Sequence, residues 1–350
     1  MKNLTIGNKR IGLNQEPFII AEMSGNHNKS LDRALAIVDA VFHSGSHALK
    51  LQTYTADTIT IDIAEGDFYI SDSNSLWKGN SLYNLYKQAY TPWEWHKPIL
   101  DRCRELGLIC FSTPFDETAV DFLEELNVPA YKIASFENNH LPLIRKVAYT
   151  GKPLIISTGM ANIAELHEAV ECAREAGCKD IILLKCTSAY PAMPENSNIL
   201  TIPHIREMFK CEVGLSDHTM GVGVAVASVA LGATVIEKHF TLSRTDGGVD
   251  SAFSIEPDEM KIFVQETSRA WKSLGTISYE LSADEKISIK FRRSLYVVKD
   301  IKAGDKLTHE NLRAIRPGYG MQPKHFEQLL GKTVNRDIRR GTALKWELIG

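Results

Sequence analysis

The sequence lacks an excess of charge, a long apolar run and a leader-like first segment, and each absence excludes a class of protein. Lys and Arg total 40 and Asp and Glu total 43, for a net charge of −3, which is not the balance of a protein that binds DNA or acidic membranes. No window approaches the roughly 18 apolar residues that span a bilayer, and MKNLTIGNKRIGLNQEP has no apolar core of signal-peptide length. We therefore expect a cytoplasmic protein that binds neither nucleic acid nor membrane.

Paired cysteines are also missing. The six cysteines form no Cys-x-x-Cys motif, and a chain of this length in a reducing compartment rarely depends on disulfides. Cys103, Cys110 and Cys186 lie in or beside apolar runs, so we interpret them as small buried hydrophobic residues. A catalytic cysteine is the alternative interpretation.

What the sequence does contain is a regular alternation of short apolar segments with amphipathic stretches such as 31–42, 161–176 and 257–274. Apolar runs without polar alternation are typical of strands buried on both faces of a parallel sheet. Eight of them within about 275 residues favour an α/β fold, a (β/α)8 TIM barrel, which typically takes ~250 residues, over an open doubly wound sheet. The runs are PFIIAEM (17–23), HALKLQT (47–53), LICFST (108–113), YKIAS (131–135), LIIST (154–158), IILLKCT (181–187), VGLS (213–216) and TVIEKHF (234–240).

Two segments interrupt the alternation. Residues 54–93 form a long connection after the second strand, and connections of that length are more often functional than idle. It carries aromatic residues that either stack on a sugar or pack the loop on the barrel: Tyr69, Trp77, Tyr83, Tyr86, Tyr90 and Trp93.

The second segment lies at the C-terminal end of the chain. After a barrel at 1–275, a polar linker at 276–290 precedes a small β-rich unit at 291–350. We predict this unit from the alternation in 294–298 and the turn at 303–305.

Polar residues cluster where the predicted strands end, which is the catalytic face of a barrel. A lysine in a buried strand is costly unless its ammonium meets an anion. Lys50 and Lys132 lie near the ends of their strands, so with nearby hydroxyls they predict a cradle for a phosphate or a carboxylate. Outward salt bridges to the surrounding helices are the alternative for both.

Histidines and acidic residues at the same end suggest further chemistry. His218 and His239 end adjacent strands, and two neutral imidazoles suit an open site for a divalent cation. Glu22 is a natural general acid or base. Asp250 follows the eighth strand beside glycines that allow close approach to a ligand, although a solvated loop carboxylate fits the same pattern.

These residues fall in strings that resemble the sialic acid synthase family. The strings are FIIAEMSGNHN, ALKLQTY, FSTPFD, AYKIAS, PLIISTGM, CTSAYP, GLSDHT and EKHFT, in that order. The later RRSLYVVKDIKAGDKLTHENLRAIRPGYG resembles the family's antifreeze-like (SAF) domain. The resemblance implies condensation of phosphoenolpyruvate with an open-chain N-acetylated amino sugar, dependence on Mn²⁺ or Mg²⁺, and a domain-swapped homodimer.

The resemblance also implies roles for individual residues. Glu22, Lys50 and Lys132 are then catalytic, and His218 and His239 hold the metal. Gln52, Tyr190, Asp250 and Arg316 face the sugar, with Arg316 reaching from the partner's SAF domain. The expected phosphoenolpyruvate ligands are Lys50, Thr113, Lys132, Ser135, Ser157, Ser188 and Ser216, of which Ser188 replaces an asparagine common in N-acetylneuraminate enzymes.

Within the family, the sequence is most similar to the pseudaminic acid synthases. Met23-Ser24-Gly25, LYNLYKQAYTPWEWH (82–96) and GGVDSAFS (247–254) carry that similarity. It implies 2,4-diacetamido-2,4,6-trideoxy-L-altrose as the sugar, and an aromatic wall from 54–93 suits its methyl and second acetamido group. N-acetylneuraminate and legionaminic acid synthases are the alternatives within the family.

Two other functions are compatible with the residues alone. Lys132 or Lys185 could form a Schiff base in a metal-independent pyruvate aldolase. A non-catalytic carbohydrate-binding protein could use the aromatic insertion and the C-terminal unit. The density of functional groups at eight strand ends argues against a simple binder.

Overall fold

The computed structural model describes residues 4–73 and 75–350, which divide into two compact units meeting in sequence between Gly275 and Thr276. The first unit begins with an antiparallel hairpin of β1 (Leu4–Ile6) and β2 (Lys9–Ile11). Eight parallel strands then close into a barrel, in which β10 pairs with both β3 and β9. The barrel strands are β3 (Phe18–Glu22), β4 (Ala48–Thr53), β5 (Ile109–Pro114), β6 (Tyr131–Ile133), β7 (Leu154–Ser157), β8 (Ile181–Cys186), β9 (Glu212–Asp217) and β10 (Val235–His239).

The closed barrel confirms the predicted fold, and each strand falls within or next to its predicted apolar run. The strands are buried along almost their whole length, because their inner faces fill the barrel and their outer faces pack against helices. The helices of this unit are α1 (Leu31–Ser44), α2 (Ala56–Ile59), α3 (Leu82–Ala89), α4 (Trp93–Leu106), α5 (Glu117–Glu125), α6 (Leu141–Tyr149), α7 (Ile163–Glu175), α8 (Thr201–Phe209), α9 (Gly223–Ala230) and α10 (Pro257–Leu274).

Local sequence sets where these helices begin and end. Asp116 caps α5, since its carboxylate accepts the backbone N–H of Thr118 at 3.0 Å. Gly107 ends α4 in a left-handed conformation with φ of 74°, which glycine adopts without steric cost. Such caps fix the short connections that hold the strand ends in register.

The 54–93 insertion has structure of its own. It contains α2, a 3-10 turn at Gly66–Phe68, a β-bridge between Tyr69 and Ser81, and α3. The Ser81 hydroxyl caps α3 by accepting the backbone N–H of Asn84 at 3.2 Å. The insertion therefore presents a formed surface above the barrel.

The second unit has a separate hydrophobic core. It contains α11 (Ala283–Ser288), β11 (Ser294–Val297), β12 (Leu312–Ile315) and α12 (Phe326–Leu329), with β11 and β12 antiparallel. Its buried apolar side chains are Leu295, Val297, Ile301, Leu307, Leu312, Met321, Leu329, Val334, Ile338, Leu344 and Leu348.

The structure bears on two expectations drawn from composition. All six cysteines are free and buried, which confirms the interpretation of Cys103, Cys110 and Cys186 as buried thiols. Within 4–73 and 75–350, no helix combines the length and apolar character that a membrane crossing requires.

Candidate active site

A cavity of about 550 Å³ lies at the carboxyl ends of the barrel strands, where barrel active sites form. Its floor and sides combine strand-end residues with side chains of the 54–93 insertion. The polar and ionisable residues that line it from the barrel are Ser24, Lys50, Gln52, Lys132, Ser135, Glu137, Ser157, Cys186, Tyr190, Ser216, His218, Glu237, His239 and Asp250.

The floor of the cavity is a network of opposite charges. Lys50 forms an ion pair with Glu22 and lies 3.6 Å from Glu237, measured from Nζ to Oε1. Lys132 Nζ lies 3.3 Å from the same Glu237 oxygen, and Lys50 also donates to Thr113 Oγ1 at 3.2 Å. The two lysines are 3% and 2% exposed. Because both line the cavity and meet at Glu237, both point into the barrel rather than out toward the helices.

Burial and mutual attraction determine the protonation of this network. Burial raises the pKa of Glu22 and lowers the pKa of Lys132. Burial also opposes the charged form of Lys50, but the carboxylates of Glu22 and Glu237 raise its pKa. In the same way Lys132 and Lys50 hold the pKa of Glu237 below its ordinary value despite burial. Of the two carboxyl groups, Glu22 therefore retains a proton more readily than Glu237.

Serine hydroxyls gather on one side of this floor. Ser157 Oγ is buried and has no hydrogen-bond partner within the described ranges, so it is available to a ligand. Ser135 Oγ accepts the backbone N–H of Gly159 at 3.2 Å. A methyl group on Gly159 would collide with the hydroxyls of Ser135 and Ser188. Only glycine at position 159 lets these two hydroxyls converge. The strand pattern gave no sign that this glycine was needed.

The two predicted imidazoles converge on the same cavity, with ring centroids 5.3 Å apart. His218 Nδ1 lies 3.0 Å from the carbonyl oxygen of Thr187. Because a carbonyl oxygen can only accept a hydrogen bond, Nδ1 carries the proton and Nε2 keeps the lone pair that a cation could bind. His239 Nδ1 is buried without a hydrogen-bond partner among the residues placed. Burial lowers the pKa of His239 well below its ordinary value, so this ring is neutral and can donate a lone pair.

These rings suit a cation only as part of an open coordination shell. In the described part of the chain, no three His, Cys, Asp or Glu side chains are arranged to hold a metal ion. Asp250 Oδ2 lies 4.0 Å from His239 Nδ1. Water and substrate oxygens would have to supply the remaining ligands, as in open catalytic sites.

Three of the residues predicted to face a sugar line the cavity, and the fourth does not belong to this unit. The Asp250 carboxylate accepts a hydrogen bond from Ser24 Oγ, and burial raises its pKa. The Tyr190 ring lies 4.5 Å from the ring of His218. Gln52 is on the lining as well, whereas Arg316 is exposed and follows β12 in the C-terminal unit.

Two acidic residues of the site were missed from the sequence. Glu237 lies two residues before His239 on β10, so both point inward while Lys238 points outward to Asp217 at 2.7 Å. Alternation along the strand was therefore a usable signal. Glu137 lies in a 3-10 turn after β6, and burial raises its pKa to about 7. No periodicity extends into that turn.

Of the six aromatic residues singled out from the insertion, Trp77 and Tyr86 line the cavity, and Tyr54 at its first position lines it as well. Others are used elsewhere: Lys29 lies over the Tyr90 ring, and Trp93 stacks on Phe122 with centroids 4.5 Å apart. The aromatic wall expected from the sequence is thus partly replaced by aliphatic side chains, including Ile59, Ile70 and Leu82.

The fold and this cavity define a TIM-barrel enzyme architecture, with a charged pocket at the carboxyl ends of the strands. The chain belongs to the NeuB family, whose model matches residues 37–279, and a SAF domain matches residues 292–349. The resemblance to the sialic acid synthase family is thereby confirmed.

Individual relatives cover almost the whole chain. Pseudaminic acid synthase from Campylobacter jejuni subsp. jejuni serotype O:2 is 43% identical over 98% of this chain and 98% of its own length. Pseudaminic acid synthase from Helicobacter pylori is 40% identical over 94% of this chain and 97% of its own. The crystal structure of N-acetylneuraminic acid (sialic acid) synthetase from Leptospira borgpetersenii superposes with a TM-score of 0.73 at 32% identity, covering 83% of this chain and 96% of that one.

Proposed function

We propose that this chain is a pseudaminic acid synthase, a transferase that forms a carbon–carbon bond. It condenses phosphoenolpyruvate with 2,4-diacetamido-2,4,6-trideoxy-L-altrose to give a nine-carbon 2-keto sugar acid and phosphate. The observation that carries the proposal is the floor in which Glu237 is shared by two buried ammoniums, next to two converging imidazoles. The full-length similarity to relatives named as pseudaminic acid synthases supports the choice of sugar.

Phosphoenolpyruvate binds at the charged floor. The ammoniums of Lys50 and Lys132 attract its phosphate and carboxylate, and the low local dielectric strengthens both contacts. The unpartnered hydroxyl of Ser157 is free to donate to one of these anionic groups. The hydroxyls of the remaining proposed ligands complete the cradle: Thr113, Ser135, Ser188 and Ser216.

The sugar lies above this floor, with its aldehyde toward the imidazoles. His218 and His239 would hold the divalent cation, Mn²⁺ or Mg²⁺, and the cation would polarise the aldehyde oxygen as a Lewis acid. Gln52, Tyr190 and Asp250 contact the hydroxyl and acetamido groups of the sugar. The neutral ring of His239, with its unpartnered nitrogen, supports this assignment.

The reaction balances with water as the third reactant. Carbon 3 of phosphoenolpyruvate attacks the aldehyde carbon, and water adds at carbon 2. Phosphate then leaves with cleavage of its bond to carbon 2. Glu22, whose pKa burial raises, passes the proton that the attacking water gives up to the new hydroxyl oxygen. The proton of the carbon 2 hydroxyl leaves with the phosphate as the keto group forms. Lys50 and Lys132 hold the two anionic groups in place during these steps.

The oligomeric state and cellular location also belong to this proposal. We place the barrel at 1–275, a linker at 276–290 and the SAF domain at 291–350 of a cytoplasmic homodimer. In it, the SAF domain of one chain covers the barrel mouth of the other, and Arg316 reaches the sugar. Mixing a barrel-inactive Lys132→Met chain with an Arg316→Ala chain tests this arrangement, because a swapped heterodimer regains one complete site. Recovery of activity on mixing is expected, and its absence would contradict the swap.

A substrate panel tests the reaction, with phosphate release as the readout. The panel contains the diacetamido altrose, its diacetamido mannose isomer and N-acetylmannosamine, each with phosphoenolpyruvate. Highest kcat/KM with the altrose supports the proposal. Preference for either other sugar would instead identify a legionaminic acid or N-acetylneuraminate synthase.

The same assay separates the reaction from its rivals in other classes. Borohydride trapping of a pyruvate adduct would identify a Schiff-base aldolase. Lys185 is a poor candidate for that role, because its Nζ donates to the carbonyl of Cys186 at 2.9 Å and to Thr187 at 3.3 Å. Sugar binding without phosphate release would identify a carbohydrate-binding protein.

A further inference from the structure

The cavity has two chemically different walls. The acidic and basic residues of its lining come from the barrel and the loops that follow its strands, whereas the insertion contributes uncharged and mainly apolar side chains. Within this second wall we call Ile59, Ile70, Leu82 and the ring of Tyr86 the apolar wall. Ser75 also lines this side, and its hydroxyl accepts the backbone N–H of Trp77 at 3.2 Å.

The three aliphatic members of the apolar wall are not core residues. Each is only partly buried, and none belongs to either hydrophobic core found in the described ranges. Their apolar surface instead faces the cavity, where it contacts water unless a ligand covers it. Apolar surface that a ligand can remove from water contributes to the affinity for that ligand.

Specific contacts hold this wall in place. The backbone N–H of Ile70 donates to the carbonyl of Asn80 at 2.9 Å. Trp77 Nε1 donates to the carbonyl of Val249 at 2.9 Å, which ties the insertion to the loop that carries Asp250. The apolar wall is thus a preformed surface attached to the sugar side of the site.

We propose that the apolar wall selects the sugar by enclosing its C6 methyl group, with Ile70 and Leu82 as the specificity-determining residues. This inference rests on the proposed function, because that function places the aldehyde at the imidazoles. The chain of the sugar then runs away from the charged floor, and its sixth carbon points toward the insertion. A methyl group loses no hydrogen bond there, whereas a hydroxymethyl group gives up its contacts with water without gaining a charged or amide partner.

The expected size of the preference follows from how apolar pockets reject hydroxyl groups. Such a pocket discriminates against a substrate carrying one additional hydroxyl by about 100-fold in kcat/KM. We therefore expect a roughly 10- to 100-fold preference for the 6-deoxy sugar over the sugar that differs only by a 6-hydroxyl. A polar side chain in the wall should reduce this ratio, because it gives the hydroxyl a partner.

The experiment compares two sugars on matched variants of the full-length enzyme. The sugars are 2,4-diacetamido-2,4,6-trideoxy-L-altrose and 2,4-diacetamido-2,4-dideoxy-L-altrose. Leu82→Asn and Ile70→Asn should each reduce the kcat/KM ratio at least tenfold, while Leu82→Met should retain it. Leu76→Asn is the matched control, because Leu76 lies on the same insertion, is 52% exposed and does not line this cavity. Circular dichroism and the thermal midpoint check that each variant is folded.

The outcomes separate this inference from the proposed function. A wild-type ratio near one, or a ratio that both asparagine variants leave unchanged, would overturn the inference while the synthase activity stands. Absence of phosphate release with either altrose would instead overturn the proposed function and the inference with it. A polar variant that fails to fold is replaced by Leu82→Thr, whose kcat/KM ratio then decides.

Discussion

Replacing Glu237 by glutamine tests whether the charged floor is one coupled unit. Its Oε1 atom lies 3.3 Å from Lys132 Nζ and 3.6 Å from Lys50 Nζ. Glu237→Gln keeps the shape but removes the charge, which leaves Lys132 without its ion-pair partner while Lys50 keeps Glu22. Removing one partner of a buried pair costs about 3–5 kcal/mol. We expect the free energy of unfolding to fall by that amount in guanidinium titrations followed by tryptophan fluorescence.

A second substitution distinguishes a stranded charge from a general packing defect. Adding Lys132→Met to Glu237→Gln removes the unpaired ammonium, so the double variant should be more stable than Glu237→Gln alone by about 1–3 kcal/mol. Asp101→Asn is the control, since Asp101 pairs with Lys97 at the surface, and we expect its unfolding midpoint to be unchanged. If the two substitutions in the floor destabilise additively, Lys132 does not depend on Glu237 and the coupling is refuted.

Three further predictions follow from the same geometry. Gly159→Ala should reduce kcat/KM for phosphoenolpyruvate by about 100-fold, because its methyl group displaces the hydroxyls of Ser135 and Ser188. A small misplacement of binding groups has an effect of that size. An unchanged kcat/KM in steady-state assays would contradict the proposed cradle. Burial raises the pKa of Glu137 to about 7, so the folded state binds more protons than the unfolded state between that pH and about 4.3. Wild-type stability should therefore decline across this window as pH rises, and Glu137→Gln should remove roughly 2 kcal/mol of that decline in unfolding titrations at pH 5 and pH 8. Adding Mn²⁺ should restore phosphate release to chelator-treated wild type but not to His218→Ala. Restoration of the variant to the wild-type rate, or wild-type activity that persists in chelator, would refute the metal assignment.

The fold could be predicted because the strands of a barrel leave a strong local signal. Each of the eight apolar runs became a strand, since a strand buried on both faces excludes polar residues until its end. The same signal located Lys50, Lys132, His218 and His239, which surround one cavity. Glu237 was missed, although the same pattern, if read residue by residue along the strand, would have been sufficient to find it. An inward His239 requires that the residue two positions earlier point inward as well.

The insertion shows why the rest of the site could not be predicted in this way. Six of its aromatic residues were equally good candidates for a wall, yet Trp77 and Tyr86 face the cavity while Trp93 stacks on Phe122. What separates them is tertiary contact, such as the indole of Trp77 donating to the carbonyl of Val249, 172 residues away in sequence. No local period records such a contact, and the same holds for Glu137 in its 3-10 turn. The barrel positions that carry the proposed chemistry are therefore readable from strand patterns. The positions proposed to choose the sugar depend on how a long connection folds back over the barrel, and substrate preference within this architecture can change without altering any strand.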